Sequence, residues 1–271
     1  MCVSPECGSG NIDRTPRIVQ ASYGARNGCL LWHSYLDRKS EPLHTRRGRF
    51  ESGTLFPVLT LKGDVCNDPS ENRAMKTFLH VGCGELDKSV LKGFDSPDWR
   101  EIRFDIDPSV SPDIEGTLTD MDEVATGSID AIYSSHNIEH VFPHEVHTVL
   151  LEFHRVLKQD GIVVLTCPDL ISVCQAVVND KLMEPLYQSP AGPISPIDIL
   201  YGHRDAVAKG KIYMAHKTGF TYSTLYSAFF KAGFKFNVGA ARPKHFDLWI
   251  VSFKQVMSNE EGMKIAMNFL P

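Results

Sequence analysis

The 271-residue sequence has no apolar run approaching the roughly 18 residues that cross a bilayer, which excludes a membrane-spanning helix. It also lacks a basic excess: 28 Lys and Arg face 33 Asp and Glu, a formal net charge of −5. A protein that grips a phosphate backbone leaves a basic footprint, so no nucleic-acid partner is expected, and Arg46, Arg47 and Arg49 read as a solvated loop. The seven cysteines (Cys2, Cys7, Cys29, Cys66, Cys83, Cys167, Cys174) are odd in number and lack metal-type pairing. They are unlike a secreted disulfide framework and read as free thiols in a reducing cytoplasm. No basic segment followed by an apolar stretch opens the chain, so a secretory signal is not expected. Heptads and internal repeats are missing too, which leaves the oligomeric state open. What remains is an ordinary globular composition, 42% apolar and 23% charged, long enough for one large or two small domains.

Organisation along the chain is uneven. Residues 1–75 mix Pro, Gly, Ser and charge irregularly, with a short helix suggested at 29–36 and a strand at 56–61, and read as an N-terminal extension packing on a core. From Thr77 strands and helices alternate, with strands predicted at 77–81, 101–104, 113–115 and 129–133. Val146, Val149, Leu150, Phe153 and Leu157 recur at helical spacing behind Pro143, and this helix is predicted to stop at Asp160-Gly161. The uniformly apolar run 162–166 suits a strand buried on both faces of a parallel sheet. Residues 168–215 carry five prolines with only 170–178 helical, and read as a Pro-rich lid or substrate insertion whose apolar side chains are mostly core. Thr221 caps a further helix ended by Gly233, and strands at 234–238 and 246–253 precede a tail at 256–271. The fold class is α/β, with a core domain at 76–255 and an antiparallel C-terminal edge.

Chemistry concentrates after the first core strand. His80-Val81 runs into Gly82-Cys83-Gly84, where glycines permit a tight turn and close approach of backbone to a ligand. Asp105 ends the next strand 21 residues beyond Gly84, close to the ~20-residue separation at which a carboxylate meets a ribose diol. Asp107 precedes Pro108 and reads as a turn residue bonding local backbone. A dinucleotide dehydrogenase needs a small residue where Asp87 stands; a carboxylate there would repel a pyrophosphate at a helix N-terminus, which demotes a nucleotide-dependent oxidoreductase. Cys83 reads as a small packing residue.

Four segments in order over residues 76–170 resemble the class I S-adenosylmethionine-dependent methyltransferases. Leu79-His80-Val81-Gly82-Cys83-Gly84 is similar to that family's glycine motif, and the run from Ser128 to Glu139-His140 to its fourth strand and following turn. Arg155-Val156-Leu157-Lys158 through Gly161, and then Cys167-Pro168-Asp169, resemble the approach to and exit from the fifth strand. His216 to Thr221 and Ala232-Gly233-Phe234 fit less tightly, and residues 1–75 not at all. The resemblance implies a Rossmann-like class I methyltransferase sheet that binds S-adenosylmethionine. Carried over by position, Gly82 and Gly84 border the methionine moiety, Asp105 holds the ribose hydroxyls, and Ile106 packs on adenine. Thr117 and Leu118 flank the base, while Ser134 and Ser135 line the pocket. The sequence departs from the family at Leu86, where a third glycine is usual, and at Thr117, where an acidic residue is common.

Such a cofactor is already an activated electrophile, so the protein's task is alignment, plus a base where the acceptor has a proton to lose. Histidine is the usual base near neutral pH, and His136, His140, His144 and His216 are the candidates. His203 and Tyr201 are weaker ones, His147 and His154 read as surface residues, and Glu139 reads as structural. His136-Asn137-Ile138-Glu139-His140 also matches the H-x-x-E-H zinc-peptidase pattern, but it follows a strand and meets Pro143, so the helix a peptidase requires is missing; no metal is assigned, and a divalent metal site of another kind at His136, Glu139 and His140 is left open. The sequence therefore points to a cytoplasmic methyltransferase acting on a small-molecule acceptor. A non-catalytic binding module on the same fold is the alternative.

Overall fold

A computed structural model describes residues 17–20 and 75–271; most of the 1–75 extension, including the helix expected at 29–36 and the strand at 56–61, lies outside the described residues. Phe78, Leu79, His80 and Val81 are buried without alternation, as a strand covered on both faces requires. In chain order the strands are β1 (Arg17–Gln20), β2 (Lys76–Val81), β3 (Trp99–Asp105), β4 (Ile114–Glu115), β5 (Ile129–Ser135), β6 (Leu157–Pro168), β7 (Tyr187–Ser189), β8 (Gly192–Ile194), β9 (Phe236–Arg242) and β10 (Asp247–Phe253). Eight of them form one sheet in the order β1-β9-β10-β6-β5-β2-β3-β4, and β7 and β8 pair by themselves. Strands β2 to β6 are parallel, whereas β10 runs antiparallel to both β6 and β9. The antiparallel edge read from the sequence is present, and β1 extends it by pairing antiparallel with β9.

The helices are α1 (Val146–Val156), α2 (Leu170–Val178), α3 (Pro196–Tyr201), α4 (Arg204–Ala208), α5 (Tyr222–Lys231) and α6 (Asn259–Ala266). Val149, Leu150 and Phe153 of α1 and Leu225 and Phe229 of α5 pack on one sheet face against Leu79 and Ile132. The opposite face is closed by Phe94, Phe269 and Leu270 over Phe78, Trp99 and Phe253. Residues 256–271 are thus no loose tail: they contain α6 and bury Ala266, Phe269 and Leu270.

Several boundaries differ from the sequence reading for local reasons. Helix α1 stops at Val156, because Leu157 already pairs with Ile129 in the sheet. The next register pair is Ala131 with Ile162, so 158–161 bulge out, pinned by Lys158 Nζ on both Asp130 carboxylate oxygens at 2.8 and 2.9 Å. The final strand pair starts at Phe236, two residues late, because Phe234 is buried against α1 and α5. No α-helix follows the glycine turn; its place is taken by a single 3-10 turn, Lys88–Val90, capped by Asp87. Finally, of the insertion's apolar residues 182–201 read mostly as core, only Ile199 among the non-proline side chains is fully buried, and Met183, Tyr187 and Tyr201 are exposed. That segment covers a cavity instead of filling a core.

Candidate functional site

Strand order reverses beside β2, with β3 and β4 on one side and β5 and β6 on the other, and in such sheets ligands bind beyond the carboxyl ends at that point. A cavity of about 790 Å³ lies there, within the usual range for small-molecule sites. Its floor is made of Gly82, Gly84, Asp105, Ser135 and the turn after β4, and the insertion roofs it with Tyr187, Ile194, His203, Tyr213 and Met214.

The two glycines turn the chain with φ of +62° at Gly82 and +52° at Gly84. A Cβ on Gly82 would fall 1.9 Å from Oδ1 of Asn137, whose Nδ2 donates to the Val81 and Ser135 carbonyls, each at 2.9 Å. Over Gly84 nothing lies within 4 Å; that space is open cavity. The Gly84 N–H donates to Oδ2 of Asp105 at 2.8 Å and the Asp107 N–H to Oδ1 at 2.9 Å, so two backbone donors fix the carboxylate. A carboxylate accepts about four hydrogen bonds, which leaves capacity for a diol.

Of the residues singled out from the sequence, Gly82, Gly84, Asp105, Ile106, Thr117, Leu118, Ser135, His136 and His140 all line the cavity. Ser134 does not: it is fully buried, its hydroxyl without a partner, because successive residues of β5 face opposite ways. His144 is exposed, its ring stacked on Phe142 at 5.8 Å and outside the lining. His216 is also outside the lining, its ring centroid 4.7 Å from that of His140.

His136 sits at φ +53°, its N–H donating to the Thr166 carbonyl at 2.9 Å. Its Nδ1 lies 3.2 Å from Oε1 of Glu139, a carboxylate 1% exposed. Partial loss of water at His136 and full burial at Glu139 oppose charge, yet each group favours the other's charged form: His136 is held above the ordinary histidine value and Glu139 below that of a carboxylic acid. His216 is pushed down by burial, against the pull of Glu139. Burial likewise pushes the Cys83 thiol up to about 11, so it is a poor nucleophile.

Three residues that sequence reasoning missed tie roof to floor. Asp107 does cap its local turn, Oδ1 accepting from Ser109 N at 3.0 Å, but Oδ2 also accepts from Tyr213 Oη at 2.6 Å and Lys211 Nζ at 3.1 Å. Partners more than 100 residues away leave no local signal. Asn137, which locks the glycine turn, sits within the quoted motif but has no periodicity to mark it.

Residues 79–165 match the family model described as "Methyltransferase domain", over the strands that build the floor, and that family implies S-adenosylmethionine as cofactor. No curated protein sequence matches the chain. Among solved structures, the chain is similar to a Nostoc punctiforme protein named for O-methyl transfer, at 13% identity and a TM-score of 0.44, over 68% of this chain and 53% of that one. It is likewise similar to S-adenosylmethionine-dependent methyltransferases from Methanosarcina mazei (13% identity, TM-score 0.44, 68% and 94% covered) and Archaeoglobus fulgidus (13%, 0.44, 67% and 87%). The chain thus spans about half the length of the first of these.

Proposed function

We propose that the methyltransferase domain of this chain moves a methyl group from S-adenosylmethionine to a small-molecule acceptor held under the insertion. The observation that carries this reading is the open space above Gly84 beside a carboxylate already fixed by two backbone donors. Those features fit the cofactor: Gly82 and Gly84 would border its methionine part, Asp105 would accept from the ribose hydroxyls, and Ile106, Thr117 and Leu118 would flank the base. When bound, the cofactor supplies a methyl group on a cationic sulfur. Asp105, Glu85 and Glu145 around the cavity favour a cation there. No α-helix N-terminus follows the glycine turn to receive a pyrophosphate, which weighs against the oxidoreductase.

The chain's own contribution is then positioning, which supplies roughly 7 to 11 kcal/mol in well-oriented systems. Where the acceptor carries a proton, His136 is placed to take it: Glu139 orients Nδ1, and 47% of the imidazole side chain stays open. The roof pairs apolar Tyr187, Ile194 and Met214 with cationic Lys217, which suits a small acceptor with an apolar body and a polar or anionic end. A cytoplasmic location is part of this proposal: among the described residues Cys83, Cys167 and Cys174 are unpaired, as in a reducing compartment.

Calorimetric titration with S-adenosylhomocysteine tests the reading. Binding by the wild type that weakens at least tenfold in Asp105→Ala supports it, and no binding by a folded wild type sinks it. Incubating S-adenosylmethionine with a panel of small hydroxyl, amine and thiol acceptors then reads turnover as S-adenosylhomocysteine release. Binding without release on any acceptor would point to the non-catalytic module.

A further inference from the structure

We propose that Glu139, His140 and His216 form a binding site for one divalent cation of the zinc class, set in the cavity wall. One carboxylate oxygen and one nitrogen from each histidine lie within 4.8 Å of one another. The set joins distant segments: Glu139 and His140 lie in the 3-10 turn Ile138–His140 after β5, and His216 lies beyond the insertion. Backbone bonds bring them together, since Lys217 N and Thr218 N both donate to the Glu139 carbonyl, at 2.8 and 3.1 Å.

Both rings are already oriented. Nδ1 of His140 lies 3.2 Å from the Ala215 carbonyl and Nδ1 of His216 lies 2.7 Å from that of Ile199. A carbonyl only accepts, so each Nδ1 carries the proton and each Nε2 keeps its lone pair; this is how metal-ligating histidines are held by their outer partners. A second observation is independent of the rings. Glu139 is 1% exposed; Oε1 is met only by His136 Nδ1, at 3.2 Å, and Oε2 has no partner. Native structures rarely leave a buried carboxylate so placed, and a cation between it and the two imidazoles resolves the deficit.

The donor set names the ion. Two imidazoles and one carboxylate suit zinc and its d-block neighbours, whereas calcium and magnesium take oxygen ligands. Three protein ligands leave one coordination position open. Bonds of 2.0–2.1 Å in a tetrahedral site separate the ligand atoms by about 3.4 Å, so binding draws together groups that now lie within 4.8 Å of one another. This takes up the metal site that the sequence left open without assigning: the H-x-x-E-H pattern lacks its helix, but the fold completes a site with Glu139, His140 and a histidine 76 residues further on. The site does not depend on methyl transfer.

The test uses the full chain, stripped with a chelator and titrated with cobalt(II), read by its visible ligand-field absorption, and with zinc by calorimetry. We expect one equivalent per chain, an affinity reduced at least 30-fold in His216→Asn and Glu139→Gln, and no change in His147→Ala, an exposed histidine elsewhere. Circular dichroism in chelator establishes that each variant is folded; should Glu139→Gln not fold, His216→Asn and His216→Gln carry the comparison. No stoichiometric binding by the wild type, or unchanged affinity in the His216 variants, overturns the site. Titration of the same samples with S-adenosylhomocysteine keeps the two readings apart: metal without nucleoside binding removes the methyl-transfer proposal alone, and nucleoside without metal binding removes this one alone.

Discussion

Gly82 and Gly84 are two residues apart and are glycine for different reasons. Gly82 combines a left-handed backbone with an occupied Cβ position, so Gly82→Ala must both strain the chain and displace the Asn137 amide. We expect a loss of about 2 to 4 kcal/mol, read as a lower thermal midpoint. Gly84→Ala meets only the backbone strain, about 1 to 2 kcal/mol, but puts a methyl where the cofactor would lie. Its larger effect should be on S-adenosylhomocysteine affinity. A titration showing equal losses of affinity in two folded variants would remove that distinction. Cys83 between them should resist alkylation: its thiol sits at about 11, so labelling of its peptide by iodoacetamide, followed by mass spectrometry, should stay slow through pH 9 and rise only towards 11. At this scale the site was partly legible. Spacing alone found Asp105 behind the glycine turn. It could not choose between Ser134 and Ser135, because which of two neighbours faces the cavity is decided by strand register, nor see that His144 points to solvent while His216 reaches Glu139 through a long insertion.

Among the elements, the insertion is tethered rather than free. Tyr213 and Lys211 reach down to Asp107 at the end of β3, and Asp198 grips Arg204 at 2.6 Å to fix α3 against α4. Tyr213→Phe should therefore raise the rate of limited proteolysis within 187–217 and weaken S-adenosylhomocysteine binding, with the thermal midpoint nearly unchanged, since few of these residues are buried. The tether has a pH range. Hydrogen bonds from Ser109 and then Tyr213 hold the Asp107 carboxyl well below its ordinary value. A depressed carboxyl contributes above its unfolded pKa, near 4, and loses that contribution as pH falls towards the folded value. Tyr213 keeps its proton longer than a free tyrosine, through burial and the bond it donates to Asp107. Protection of the insertion should thus be flat from pH 5 to 9 and weaken only below about 4; a decline near pH 6 to 7 would assign control to a histidine instead. Helical spacing in α1 and the apolar run in β6 were readable because each buries a continuous surface. The bulge at 158–161 was not, because Lys158, Asp130 and the Ile129–Leu157 pairing decide it across the sheet.

In the whole molecule the sheet divides two cores of unequal origin. The face under α1 and α5 is closed by helices whose apolar periodicity announces them. The other face, where the glycine turn is followed by only a 3-10 turn, is closed by Phe94 and by residues from the end of α6, with Lys92 Nζ donating to the Leu270 carbonyl. Phe269 meets Phe94 at a ring separation of 4.9 Å and Trp99 at 6.4 Å, and Phe94 stacks on Phe78 at 4.3 Å, so the last residues complete an aromatic cluster begun nearly 200 residues earlier. That is why 256–271 read as a tail: its partners are far away in sequence and its own helix is short. Truncating a buried phenylalanine costs about 3 to 5 kcal/mol, and each kcal/mol shifts the midpoint of a domain this size by about 2 to 4 °C. Phe269→Ala should therefore lower the thermal midpoint by about 10 °C, whereas Val178→Ala, exposed at the end of α2, should move it by no more than about 1 °C. The cavity lies beyond the strand ends and not on this face, so S-adenosylhomocysteine affinity of Phe269→Ala, measured where the variant is still folded, should stay within about twofold of wild type. An unchanged midpoint would mean that α6 is appended to a domain already closed without it; an unchanged midpoint with lost affinity would mean that α6 acts on the site and not on the core.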